Sequence, residues 1–257
     1  MGLMADPQNP STLYASTSGG GLFKTIDGGG SWVPLSGLPP VLCCVLAVDP
    51  QNAGTAYSVA GDGFYKTIDG GASWNLVSLR AIGFSVQALR VTSSGALYAS
   101  VGGGGGIAKS TDGGANWTRV SSEYTLLAID PQNPDTLYVN GPPSGVLKSV
   151  DGGANWSVLN SSGYFSFLVV DPRNSGTLYA GAGWQILKST DGGASWISLS
   201  FGFTPTKPPV IPDGILSLAV HPKNPALLYG IVNRFVDVPG LLSSTYYLIL
   251  STDGGAT

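Results

Sequence analysis

"STDGGASW", at 189–196, decides how this chain is read, because the chain writes it again and again. Near-copies stand at 25–32 ("TIDGGGSW"), 67–74 ("TIDGGASW"), 110–117 ("STDGGANW") and 149–156 ("SVDGGANW"). A sixth copy, "STDGGAT", starts at Ser251 and stops where its tryptophan would stand. The third-position aspartates are Asp27, Asp69, Asp112, Asp151, Asp191 and Asp253, spaced 42, 43, 39, 40 and 62 residues apart. A period near 40 marks a repeat architecture, in which one supersecondary unit is stacked on the next.

Other landmarks keep the same register. A turn reads "DPQNP" (6–10), "DPQNA" (49–53), "DPQNP" (130–134), "DPRNS" (171–175) and "HPKNP" (221–225), while the third unit has "VTSSG" (91–95). A tyrosine follows each turn: Tyr14, Tyr57, Tyr98, Tyr138, Tyr179 and Tyr229. Lys24, Lys66, Lys109, Lys148 and Lys188 precede the octapeptides, and Leu250 takes that slot in the sixth unit. Four short strands, here called a to d, fit each unit. In the fourth they are expected near 124–129, 136–140, 145–149 and 155–159. No helical period of apolar residues interrupts them. Four strands per 40 residues predict an all-β propeller of four-stranded antiparallel blades. Five blades are full, and the sixth lacks its outer strand. The units run approximately 1–36, 37–79, 80–121, 122–161, 162–201 and 202–257 and form one domain.

Composition agrees. The 257 residues include 38 Gly and 18 Pro, with 43% hydrophobic and only 11% charged residues. Such a chain is rich in turns and still able to bury a core. With a net charge of −3 and no basic run, nucleic acid is not an expected partner. No apolar stretch is long enough for a membrane-spanning helix. The start "MGLMADPQNP" lacks the features of a signal peptide, but both ends look cut. Localisation is therefore open, with an extracytoplasmic or secreted site compatible with a leader outside this stretch. Cys43 and Cys44 are adjacent and the only cysteines, and His221 is the only histidine, too few for a zinc site. No metal or cofactor is expected.

The pattern [ST]-x-D-x-G-x-[STN]-W resembles the Asp-box, or BNR, repeat of sialidases, sortilin-type receptor domains, xyloglucan-degrading endoglucanases and the photosystem II stability/assembly factor family. The layout "DPxNPxTLYA…GGLFKTxDGGxSW" looks most like the last two. The resemblance covers essentially the whole chain and implies a propeller whose boxes are structural and lie away from the functional site.

The residues read the same way by themselves. Asp at position three can accept turn amides, Ser or Thr at position one can bond it, and the glycines allow a left-handed path. The tryptophan can close the turn, with its indole N–H available to a carbonyl. Asp27, Trp32, Asp69, Trp74, Asp112, Trp117, Asp151, Trp156, Asp191, Trp196 and Asp253 are thus expected as staples. Six equivalent carboxylates around a ring cannot converge on one substrate atom. The lysines are expected to be solvated, with their stems along the blade.

Removing the repeat leaves few acids: Asp62, Glu123, Asp135, Asp213 and Asp237. All but Asp135 fall in b–c or d–a loops, expected on the edge opposite the octapeptides, as do Arg80, Arg234 and Trp184. Two insertions lie there too: the d–a segment 201–214 and the b–c segment 233–244, both expected as loops. Pro-containing loops on a rigid scaffold often carry recognition. The candidate binding face is therefore Trp184, Phe203, Lys207, Asp213, Arg234, Phe235 and Asp237. No Ser-His-Asp arrangement exists, and the arginine set of a sialidase is missing. Asp213 and Asp237 are the only plausible carboxylate pair for glycoside hydrolysis. The favoured reading is a non-catalytic scaffold for a protein partner, with carbohydrate binding or hydrolysis as the alternative. Strand c of the sixth unit, near 245–251, is expected as an exposed apolar edge that invites self-association.

Overall fold

Every short segment that alternates apolar and small polar residues between Gly- or Asn-bearing turns becomes a strand. A computed structural model describes residues 2–17, 21–39, 45–61, 63–79, 86–102, 106–141, 145–160, 163–183, 185–199, 214–238 and 241–255. The first blade holds β1 (Gly2–Ala5), β2 (Leu13–Thr17), β3 (Gly21–Thr25) and β4 (Val33–Pro34), and the second β5 (Val45–Val48), β6 (Ala56–Ala60), β7 (Gly63–Thr67) and β8 (Asn75–Leu79). The third comprises β9 (Val86–Val91), β10 (Leu97–Val101), β11 (Gly106–Ser110) and β12 (Thr118–Ser121). The fourth has β13 (Thr125–Ile129), β14 (Leu137–Gly141), β15 (Gly145–Ser149) and β16 (Ser157–Asn160). The fifth has β17 (Phe167–Asp171), β18 (Asn174–Ala182), β19 (Gln185–Ser189) and β20 (Ile197–Leu199). The sixth has only β21 (Gly214–Val220), β22 (Leu228–Val238) and β23 (Leu241–Ser251) among the described residues. These are the blades of an all-β propeller, each an antiparallel meander, the last with three strands.

The chain divides into two compact units, Met1–Leu126 and Leu127–Thr257. In the first, β1 lies beside β5 and β5 beside β9; in the second, β17 lies beside β21. Strands a of blades one and two, two and three, and five and six therefore meet.

Blades stack through two faces set by strand alternation. One, here the front, carries the repeat tyrosine. The other, the rear, carries the residue just before it. In the first unit, the front of blade one (Met4, Tyr14) packs with Leu46, Ala56 and Ala60 on the rear of blade two. The front of blade two (Ala47, Tyr57, Phe64) packs with Leu89, Leu97 and Ala99 of blade three. In the second unit, Tyr138 and Val146 pack with Leu168, Val170, Leu178 and Ala180, and Tyr179 and Ile186 with Leu218 and Leu228.

Segment 233–244 differs from its expectation. It is no loop: β22 and β23 form one long hairpin, with Arg234 opposite Thr245, Phe235 opposite Ser244 and Asp237 opposite Leu242. Strand c thus begins at Leu241 rather than near 245. The runs flanking Pro239-Gly240 contain Phe235, Val236, Val238 and Thr245, residue types that favour strand pairing around a turn dipeptide. Of the other insertion, 201–214, residues 201–213 lie outside the described residues, and Gly214 opens β21.

Candidate functional site

Each octapeptide is a closed hydrogen-bonded turn. The position-one hydroxyl donates to the aspartate, as Thr25 Oγ1 does to Asp27 Oδ1 (2.6 Å), Ser110 Oγ to Asp112 (2.8 Å) and Ser251 Oγ to Asp253 (2.8 Å). That hydroxyl also accepts the N–H of the second glycine, from Gly114 at 2.9 Å and from Gly193 and Gly255 at 2.8 Å. The aspartate accepts the position-seven N–H at 2.9 Å from Ser31, Ser73, Asn116, Asn155 and Ser195. Position-seven side chains add a further bond to the second carboxylate oxygen, as from Asn155 Nδ2 to Asp151 Oδ2 at 2.8 Å.

These donors favour the ionised carboxyl. The side-chain bond from Ser31 leads in holding Asp27 well below the usual carboxylate range, and those from Ser73 and Ser195 do the same for Asp69 and Asp191. The N–H of Asn116 leads in lowering Asp112 to about 2, and that of Asn155 does so for Asp151. A carboxylate so saturated by its own turn is a poor general base.

The tryptophans are less uniform than expected. Trp117 Nε1 donates to Gly114 O at 3.0 Å, and its ring meets Phe64 edge-on with centroids 5.3 Å apart. The indole N–H groups of Trp74 and Trp196 are buried without a partner, although Trp196 packs edge-on against Phe165 at 5.2 Å. Trp32 is partly exposed.

The first glycine ties its octapeptide to the a–b turn of the same blade. Gly28 donates to Ser11 O, Gly70 to Gly54 O, Gly152 to Asp135 O, Gly192 to Gly176 O and Gly254 to Ala226 O. Asp6, Asp49, Asp130 and Asp171 cap their own a–b turns, each accepting the N–H two residues on, and His221 Nδ1 does the same for Lys223 and Asn224. His221 is therefore a turn residue.

The repeat lysines overturn their expectation. Each ammonium lies over its own blade's tyrosine ring, 5.2 to 5.5 Å from the centroid. Lys24 Nζ donates to Gly70 O of the next octapeptide at 2.9 Å, Lys188 to Gly254 O at 2.8 Å and Lys148 to Gly192 O at 3.5 Å. These three lysines latch one blade to the next. Gln8, Gln132 and Arg173 act likewise at the turns, donating to Pro50 O, Pro172 O and Lys223 O.

The octapeptide edge is thus occupied with holding blades together, which leaves the opposite edge as the candidate site. There Asn140 brackets the buried Phe165, donating to its carbonyl at 2.8 Å and accepting its N–H at 3.1 Å. This fixes the d–a segment that presents exposed Tyr164, an aromatic the sequence reading passed over. Glu123 is also exposed. Trp184, Phe203, Lys207 and Asp213, with Asp62 and Arg80, lie outside the described residues. Arg234, Phe235 and Asp237 are placed by backbone only, on β22. The described residues contain no group of three or more His, Cys, Asp or Glu that could hold a metal ion.

No family model matches the chain, and no curated protein matches it in sequence. Solved structures do match in fold. The GH74 xyloglucanase from Xanthomonas campestris is 18% identical with a TM-score of 0.76, over 98% of this chain and 44% of that one. YCF48 from Cyanidioschyzon merolae is 13% identical with a TM-score of 0.69, over 99% and 82%. YCF48 bound to D1 peptide is 20% identical with a TM-score of 0.58, over 86% and 72%. At these identities the likeness is one of fold, and the chain spans less than half the length of the xyloglucanase. No helix among the described residues is long and apolar enough to cross a membrane.

Proposed function

We propose that this chain is a non-catalytic propeller scaffold that binds an extended peptide segment of a protein partner on its b–c/d–a edge. The observation that carries this reading is the internal use of the repeat carboxylates: the described octapeptide and a–b turn aspartates are engaged by their own turns. A fold neighbour bound to a peptide supports the ligand class. Tyr164, held by the Asn140–Phe165 bracket, supplies a rigid aromatic contact, and Trp184, Phe203, Lys207, Arg234 and Phe235 are the further candidates that the sequence offers for that edge. The whole chain acts as one domain.

The alternative is a carbohydrate-binding or hydrolysing propeller, favoured by the xyloglucanase likeness over nearly the whole chain. There Asp213 and Asp237 would be the acid–base pair.

Fluorescence anisotropy with labelled peptides, alongside reducing-sugar release from xyloglucan, separates the two. Peptide binding weakened tenfold or more by Tyr164→Ala, with no sugar release, is expected. Sugar release abolished by Asp213→Asn or Asp237→Asn would replace the peptide reading with the hydrolase one.

A further inference from the structure

Two octapeptides share the run "DGGANW", at 112–117 and 151–156. Their local bonds match as well. Ser110 Oγ donates to Asp112 Oδ1 at 2.8 Å and Ser149 Oγ to Asp151 Oδ1 at 2.7 Å, and the N–H groups of Asn116 and Asn155 reach the same oxygens at 2.9 Å. The glycine after each aspartate is left-handed, with φ 73° at Gly113 and 71° at Gly152. They differ at one place. Gly152 donates its N–H to Asp135 O at 2.8 Å, as Gly28, Gly70, Gly192 and Gly254 donate to their own a–b turns, whereas Gly113 makes no such bond among the described residues. The cause is the a–b turn of blade three. Ala47 pairs with Tyr57 across nine intervening residues, but Arg90 pairs with Tyr98 across seven. The shorter turn closes on itself, with Thr92 N–H to Ala96 O and Gly95 N–H to Thr92 O, both at 2.9 Å. Gly95 stands in the acceptor's slot, three residues before the tyrosine, and takes no bond from Gly113. Lys66 does not compensate. Its ammonium lies over Tyr57, and among the described residues it makes no bond to Gly113 O like the one that Lys24 makes to Gly70 O.

We propose that Asp112–Gly113 is a site of spontaneous backbone modification in the folded protein, where the chain closes to a succinimide and reopens as isoaspartate. Glycine after aspartate leaves the attacking nitrogen unshielded by a side chain, and every octapeptide carries that pair. In the reaction the Gly113 nitrogen gives its proton to water and bonds to Asp112 Cγ. The hydroxyl of the protonated carboxyl leaves as water, and a five-membered imide results. Water then adds back at one of the two imide carbonyls. Addition at Cγ restores aspartate. Addition at the main-chain carbonyl leaves the backbone running through the side chain, with a free α-carboxylate, which is isoaspartate. One water is lost and one regained, and no other reactant is needed. The first step requires the glycine N–H to be free of its acceptor. In five octapeptides that N–H must first give up a carbonyl of the a–b turn, and in blade three it has none to give up. Asp112 is exposed and Gly113 only partly buried, so water reaches the imide. The product adds a methylene to the backbone and moves the carboxylate away from Ser110 and Asn116, which opens the staple of blade three.

The matched pair supplies the test. The natural chain is incubated in mildly acidic buffer, folded in one sample and unfolded in concentrated urea in another, with circular dichroism confirming each state. Peptide mapping by mass spectrometry with electron-transfer fragmentation then follows isoaspartate at 112 and at 151 over time. In the folded chain it should accumulate about fivefold faster at 112, the rate equivalent of one hydrogen bond. In urea the two sites should react alike, because the residues that follow each aspartate are identical. Equal rates in the folded chain overturn the proposal. So does a preference for 112 that persists unchanged in urea, since sequence and not the missing bond would then set it. A third sample replaces residues 92–96 with the longer turn of 130–136 and should slow site 112 to the rate of site 151. A folded chain of that kind that still reacts at the original rate also overturns the proposal. Should it not fold, the comparison of folded with unfolded natural chain decides.

Discussion

Lys188 Nζ, lying over the Tyr179 ring, donates to the carbonyl of Gly254 in the next blade at 2.8 Å. The bond crosses from strand c of blade five to the octapeptide of blade six, and Tyr179 Oη reaches the same carbonyl at 3.4 Å. One lysine thus satisfies a carbonyl that a tight turn leaves pointing outward, while its charge rests on an aromatic face.

Replacing that lysine should cost more than a surface charge. Lys188→Met keeps the apolar stem but removes a charged hydrogen bond, worth about 1.5–3 kcal/mol. Urea unfolding should show a lower midpoint. An unchanged midpoint would mean that the ammonium is solvated after all.

Gly193 combines a left-handed backbone, φ 98°, with a close neighbour: a Cβ there would sit 2.6 Å from Leu159 Cδ2 of the preceding blade. Gly255 meets Leu199, and Gly71 meets Leu35, in the same way. Gly193→Ala should therefore destabilise by about 2–4 kcal/mol, from backbone strain together with overpacking. Thermal unfolding of the single variant is the check, and wild-type stability would contradict the assigned contact.

Ser110 is buried and links Asp112 to the Gly114 N–H. Ser110→Ala leaves a buried donor unpaired and should cost about 1–3 kcal/mol. Trp117→Ala should cost about 3 kcal/mol or more through lost packing on Phe64. Calorimetry of both should show the loss with peptide binding intact. Normal stability with lost binding would move the octapeptide into the functional site.

Acid should weaken the propeller through the octapeptides. Their aspartates are depressed in the folded state, Asp112 and Asp151 to about 2, so the unfolded chain binds more protons below its ordinary carboxylate range near 4. The stability they contribute is fully present above about pH 5 and is lost as pH falls towards about 2. The urea midpoint should drop across that window, and less steeply in Asp112→Asn. A midpoint flat from pH 5 to pH 2 would contradict it.

The succession of blades in this stretch and their strand order were legible because each is local and repeated. The dipeptide of glycines, the Asp–Ser pair and the Asp-Pro-x-Asn turn close within a few residues; the glycine pair recurs in six copies and the Asp-Pro-x-Asn turn in four. Lys24, Lys148 and Lys188 were misread because each bonds a carbonyl 46, 44 or 66 residues on, in the next blade, and nothing beside them in sequence announces it. The insertion at 233–244 was misread as a loop because of its Pro-Gly pair and its length, whereas pairing of the two flanking runs along β22 and β23 decides its form. Exposure within a slot was not legible either: Tyr229 is 38% exposed, whereas Tyr14, Tyr57, Tyr98, Tyr138 and Tyr179 in the same slot are buried. Sequence by itself determined the blade. Only tertiary structure decided which copies of an identical slot are covered, because burial depends on the neighbouring blade and not on the residue.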